Sequence, residues 1–230
     1  MDKSTQFEEF HPSRAGPDTE LNSPPNWTKL FVLNSLIHMK TSHQRTIFHL
    51  VEDQFGYLTT EMAREAGISV EQLAQLTRRG TLERVSRGVY HLVEFPPSPL
   101  DSYMAATLWP QGVEGTLTHD TALDLFDVCN INPMKVHLTV PRDHRIRRKV
   151  PGLYIIHHAN LPDGDIYHHD GIRITTLRRT LADCIADGVG TYLIDQAIER
   201  GRQLGYLNSE GAKSSQALLD ARGRPGAAHG

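Results

Sequence analysis

Between Ser42 and Leu92 the chain carries helix starts, helix stops and a hairpin turn in one fixed order. Ser42 stands before a pattern of Ile47, Phe48, Leu50 and Val51. A hydroxyl there can accept from the free amides of a first helical turn. Phe55-Gly56 ends that helix, and Tyr57-Leu58 reads as short and extended. Thr59 or Thr60 caps EMAREA, and Gly67 follows it where a positive φ is needed. Ser69 and Gln72 form a capping box that opens VEQLAQLTRR. Leu73 and Leu76 are the core-facing residues of that helix, and Gly80 closes it. TLERVS and VYHL then alternate around Arg87-Gly88, a two-residue hairpin signal. Helix, short strand, helix, tight turn, helix, hairpin is the order of a winged helix-turn-helix.

Such a unit needs positive charge where its third helix and hairpin meet phosphates. The net charge of the whole chain is −3, so only local charge can supply it. Residues 42–92 hold six arginines and six carboxylates, but from 72 to 92 there are four arginines and one glutamate. The helix offers Gln72, Gln75, Arg78 and Arg79 to the groove, since Gln pairs with adenine and Arg with guanine. Arg84 and Arg87 on the hairpin reach phosphate or the minor groove. A plainer reading stands beside this one. Arg78 and Arg79 also suit a helix C-terminus, and Glu71 suits the start, with no DNA involved.

The rest of the chain divides around this unit. Residues 1–41 form a polar, Pro-containing, disordered or weakly structured extension, with a short apolar stretch at 27–38 and Met39 as a candidate natural start. The first unit spans 42–94, and FPPSP at 95–99 is a linker. A second unit covers 100–220, and 221–230 is a flexible tail. In the second unit LDSYMAATLW and THDTALDLFDV read as helices, the latter capped by Thr118 with Asp120 facing its dipole. KVHLTV, GLYIIHHA and GIRITT read as strands, with Val136, Leu138 and Val140 on one face. Thr175 or Thr176 caps LRRTLADCIAD, and TYLIDQAIERGRQ and EGAKSSQALLDA follow as helices. The fold class is therefore α+β, a winged helix-turn-helix followed by a mixed α/β domain.

A second basic group is denser than the first. Arg142, Arg145, Arg147, Arg148 and Lys149 face a single Asp143, and Arg173, Arg178 and Arg179 follow without an acid between 171 and 180. These are either solvated loops or a second nucleic-acid or acidic-partner patch. Without interleaved aromatics they do not suit single-strand stacking.

Enzyme signatures are missing: GxGxxG, P-loop, GxSxG and HExxH do not occur. Adjacent histidines such as His157-His158 and His168-His169 point to opposite faces of a strand and do not share one metal. The reading is no enzyme, no cofactor and no metal. Cys129 and Cys184 lie far apart and suggest no disulfide framework, which fits a reducing cytoplasm. No apolar run reaches the ~20 residues of a bilayer span.

The run GYLTTEMAREAGISVEQLAQLTRRGTLERVSRGVYHL resembles the N-terminal winged domain of AbiEi-type antitoxins of bacterial type IV toxin–antitoxin, or abortive-infection, systems. THDTALDLFDV, VHLTVPR with its basic loop, and GIRITTLRRTLADCI follow in the matching order, so the resemblance covers about 43–210. It implies a transcriptional regulator that represses its own operon, on double-stranded promoter DNA with inverted repeats, as a monomer or dimer. It also implies a functional partner, a nucleotidyltransferase-like toxin encoded alongside. By position, the reading helix is 69–79 and the wing 82–92, and the C-terminal domain carries the antitoxin activity. Glu71 and Gln72 depart from the more basic helix start of many members. Two other readings remain: a regulator whose second domain senses a ligand or partner, and an enzyme acting on nucleic acid.

Overall fold

Thr59 and Ser69 each cap a helix with their own oxygen. Met62 N donates to Thr59 Oγ1 at 3.2 Å, and Gln72 N donates to Ser69 Oγ at 3.3 Å while Ser69 N donates back to Gln72 Oε1 at 2.7 Å. These caps fix the first unit in a computed structural model that describes residues 42–223. The expectations for 1–41 and for the end of the tail lie outside the described residues.

The first unit contains α1 (Ser42–Val51), a 3-10 turn (Glu52–Gln54), β1 (Tyr57–Thr59), α2 (Thr60–Glu65), α3 (Val70–Arg78), β2 (Leu82–Ser86) and β3 (Val89–Leu92). Its three strands pair antiparallel in the order β1-β3-β2. Because β3 is central and covered on both faces, all four of its residues are buried. The alternation expected of VYHL is therefore absent there, and β2 buries only Leu82 fully. A bulge between Arg84 and Ser86 shifts the register and leaves Val85 exposed. Ile47, Phe48, Val51, Leu58, Ala63, Leu73, Leu82 and Phe95 share one core. Phe95, at the start of the expected linker, packs on Phe48 with ring centroids 6.4 Å apart.

The second unit is mixed α/β. It contains α4 (Asp101–Leu108), β4 (Thr116–Leu117), α5 (His119–Leu125), β5 (Val136–Val140) and β6 (Tyr154–His158). These are followed by β7 (Ile166–His169), β8 (Ile172–Thr175), α6 (Leu177–Ala186), α7 (Thr191–Gln203) and α8 (Ser209–Gly223). The sheet runs β6-β5-β4-β8-β7. β5 pairs parallel with β6, and β4 pairs parallel with β8; the other two pairings are antiparallel. Leu117, Leu138, Ile172 and Ile174 of the sheet, Leu123 of α5, and Leu177 and Leu181 of α6 are buried in a second core, which also receives Tyr57 and Val89 from the first unit. Cys129 and Cys184 are free and buried in this unit. Burial pushes the Cys129 thiol up to about 11 and the Cys184 thiol up further.

Two expected caps do not form. Thr118 and Thr176 sit at the N-cap positions of α5 and α6, yet neither side chain makes a capping bond. Thr118 Oγ1 is taken by Thr139 Oγ1 at 3.1 Å and His119 Nδ1 at 2.9 Å. Thr175 Oγ1 instead meets Thr180 Oγ1 at 2.7 Å. The strands read from the sequence do not include β4 or β7.

Candidate nucleic-acid interface and histidine cluster

α3 is anchored by Leu73, which is fully buried, with Leu76 half-buried beside it. That places Glu71, Gln75, Arg78 and Arg79 on the exposed side. Gln72 is different, because its Oε1 closes the capping box on Ser69 N. Glu71 lies beside the same box, and the Ser69 hydroxyl holds its carboxyl below the usual range. Arg84 and Arg87 are exposed on the hairpin.

The tip of that hairpin is fixed by the second unit. The Arg87 carbonyl accepts from Gln111 Nε2 at 3.1 Å and from Arg148 Nη1 at 3.0 Å. Arg148 also lies over the Trp109 ring, 4.0 Å from its centroid. Burial lowers its affinity for the proton, the nearby Tyr154 hydroxyl opposes this, and Arg87 adds to it. Gly88 has φ +79°, and a Cβ there would run into Gln111. The basic loop thus packs against the hairpin. Arg87, Gln111, His144, Arg145, Arg147 and Arg148 line a cleft of about 420 Å³ between them. Arg142, Arg145, Arg147 and Lys149 remain exposed, and Arg142 is located through its backbone amide, which donates to Asn160 Oδ1 at 2.9 Å.

The third basic group behaves otherwise. Arg178 Nη2 and Arg179 Nη1 donate to the two oxygens of the buried Asp165, at 2.8 and 3.1 Å. Arg179 Nε donates to both oxygens of Asp183 at 3.0 Å. Arg173 Nε donates to Thr116 Oγ1 at 2.9 Å. These three arginines join elements of the second unit, and the Arg178 side chain stays largely exposed.

Three histidines from different elements meet at the second sheet. His137 lies on β5; His157 lies on β6 in register with Thr139, so both rings rise from one face. His157 Nε2 and His137 Nδ1 are 3.1 Å apart. His119, just after β4, stacks on His157 with centroids 4.0 Å apart at 14°. It takes φ +55°, a left-handed backbone that an L residue adopts only under constraint. His137 Nε2 faces Asp120 Oδ1 at 3.4 Å, and His119 Nε2 faces Asp187 Oδ2 at 3.5 Å. Burial pushes His119 down to about 4, with His157 adding to the effect and Asp187 opposing it. Burial likewise lowers His157. His157 and His158 do diverge, as adjacent strand residues must. The cluster arises because β5 runs between β4 and β6, and sequence spacing carried no sign of it.

No curated protein matches the chain. Among solved structures, the crystal structure of the RV2827C protein from Mycobacterium tuberculosis is similar at a TM-score of 0.38 and 17% identity, over 92% of this chain and 81% of that one. No helix among the described residues is long and apolar enough to cross a membrane. Residues 45–93, from α1 through the β2–β3 hairpin, match the protein-family model described as transcriptional regulator, AbiEi antitoxin, and so bear the resemblance seen in the sequence.

Proposed function

We propose that residues 42–94 are a winged helix-turn-helix that binds double-stranded DNA, with α3 in the major groove and the β2–β3 hairpin as the wing. On this reading the chain is an antitoxin that represses its own operon in the cytoplasm. Its second domain, about 100–220 beyond the 95–99 connection, counters a nucleotidyltransferase-like toxin. The observation that carries the DNA-binding part is a set of exposed arginines on α3 and the hairpin. Arg78 and Arg79 end α3 and Arg84 and Arg87 lie on the hairpin, all four exposed. Arg145 and Arg147 join them across the cleft beside Arg87. Two separated basic stretches of sequence thereby serve one phosphate-facing surface. Gln75 and Arg78 are the base-reading candidates, while Gln72 acts as a cap.

Gel shifts on the protein's own promoter test this. Arg78→Ala and Arg87→Ala are each expected to weaken binding. Arg87→Ala should act alike on all sequences and lower the salt slope by about one counterion. Unchanged binding in both variants would remove the assignment. Growth rescue on co-expression with the adjacent gene tests the antitoxin part separately.

A further inference from the structure

The histidine cluster is more than a hydrogen-bonded corner. Each of His119, His137 and His157 offers one ring nitrogen, and the three atoms lie within 4.8 Å of one another. In His119 the other nitrogen is engaged. His119 Nδ1 lies 2.9 Å from Thr118 Oγ1, which continues to Thr139 Oγ1. With the proton on Nδ1, His119 keeps a lone pair on Nε2. His137 Nε2 faces Asp120 Oδ1 at 3.4 Å without a hydrogen bond, and its Nδ1 lies toward His157. A hydroxyl behind His119 and a carboxylate near His137 are partners of the kind that orient histidine ligands toward a metal. Neutral rings are the form that ligates.

We propose that His119, His137 and His157 bind one divalent transition-metal ion of the Zn²⁺ class, with Asp187 closing the fourth position. Bonds of ~2.0–2.1 Å put tetrahedral ligand atoms roughly 3.3 Å apart. The His137–His157 separation of 3.1 Å and the His119–Asp187 separation of 3.5 Å already match that edge. The widest separation among the three rings, at up to 4.8 Å, is longer, so the ion draws a ring inward. Asp187 is half-exposed and gives the ion a route from solvent. Imidazole and carboxylate donors without thiolate suit Zn²⁺, Co²⁺ or Ni²⁺ over Mg²⁺ or Ca²⁺. Such an ion would tie β5 to β6, the two strands that carry the 141–153 segment with its basic loop.

The test uses the full chain stripped with chelator, then titrated with Co²⁺ and with Zn²⁺. Expected are one ion per chain, the visible d–d absorption of four-coordinate Co²⁺, and a higher Tm with Zn²⁺. His157→Gln and His137→Gln should each weaken Zn²⁺ binding tenfold or more and abolish the Tm rise, while His168→Gln on β7 leaves both intact. Far-UV circular dichroism confirms that the variants fold; should they not, the Co²⁺ spectrum of the unmodified chain decides alone. Absence of four-coordinate absorption, or undiminished binding in folded His157→Gln and His137→Gln, overturns the proposal.

Discussion

Arg148 donates its guanidinium to the main-chain carbonyl of Arg87, 61 residues earlier in the chain, at 3.0 Å. The contact joins two basic segments through a peptide oxygen, so the like charges of the two side chains need not face each other. With Trp109 beneath it, Arg148 acts as a strut. Its neighbours Arg145 and Arg147 keep their exposure.

Replacing that strut should loosen the hairpin tip. Arg148→Ala is expected to lower stability by about 1 kcal/mol, from one charged hydrogen bond and one partly exposed cation–π contact. Binding to the promoter should fall with it, mainly through faster dissociation. Arg148→Lys should not restore either, because an ammonium lacks the planar fork that stacks and donates together. Thermal melts and dissociation rates equal to the unmodified chain in both variants would contradict the strut role.

Gly88 and Gly67 separate conformation from contact. Both have positive φ, +79° and +78°, but only Gly88 has a neighbour in the way, Gln111. Gly67→Ala should cost the backbone penalty alone, ~1–2 kcal/mol. Gly88→Ala should cost more and should also displace Gln111 from the Arg87 carbonyl. Urea denaturation of the two variants checks the order; equal losses would show that the hairpin tip is not held by Gln111.

Asp165 is the pivot of the neutralised arginines. It is buried and accepts from both Arg178 and Arg179. Asp165→Asn keeps the shape and removes the charge, leaving half-buried Arg179 with Asp183 alone. The expected loss is on the order of 1–3 kcal/mol, reduced by the exposure of Arg178. Chemical denaturation measures it, and a loss that vanishes in high salt would mean the pair is merely superficial.

His169 on β7 gives a pH signature. Burial lowers its proton affinity, against the opposing pull of Asp170, and its ring lies edge-on to Phe126 at 6.0 Å. A lowered folded value means that the unfolded chain binds the proton first. The contribution of His169 is therefore complete above the unfolded value of ~6.5 and is lost as pH falls below it. His169→Gln should flatten the decline of Tm with acidification relative to the unmodified chain. Parallel curves would refute it.

What the sequence made legible is what short range determines. Ser69, Gln72, Thr59 and Gly67 act within a turn of themselves, and their roles could be read directly. Burial of β3 on both faces depends on β1 arriving from before two helices, and no local pattern announces it. β7 does carry a signal in the sequence: Asp170-Gly171, both with positive φ, make the tight turn into β8. β4, with two residues, has none. Gln72 suits both a cap and a base contact, and the geometry shows the cap. Arg178 and Arg179 looked free because their partner Asp165 is more than ten residues away in the chain. The same distance hid the meeting of 119, 137 and 157.

The two buried thiols have a practical consequence. With Cys129 and Cys184 held protonated inside the second core, maleimide dyes have no ready nucleophile among the described cysteines. A single cysteine placed at exposed Val85, in the bulge of the hairpin, would then be the preferred point of labelling. The hairpin's motion can be followed by fluorescence with the native cysteines left in place.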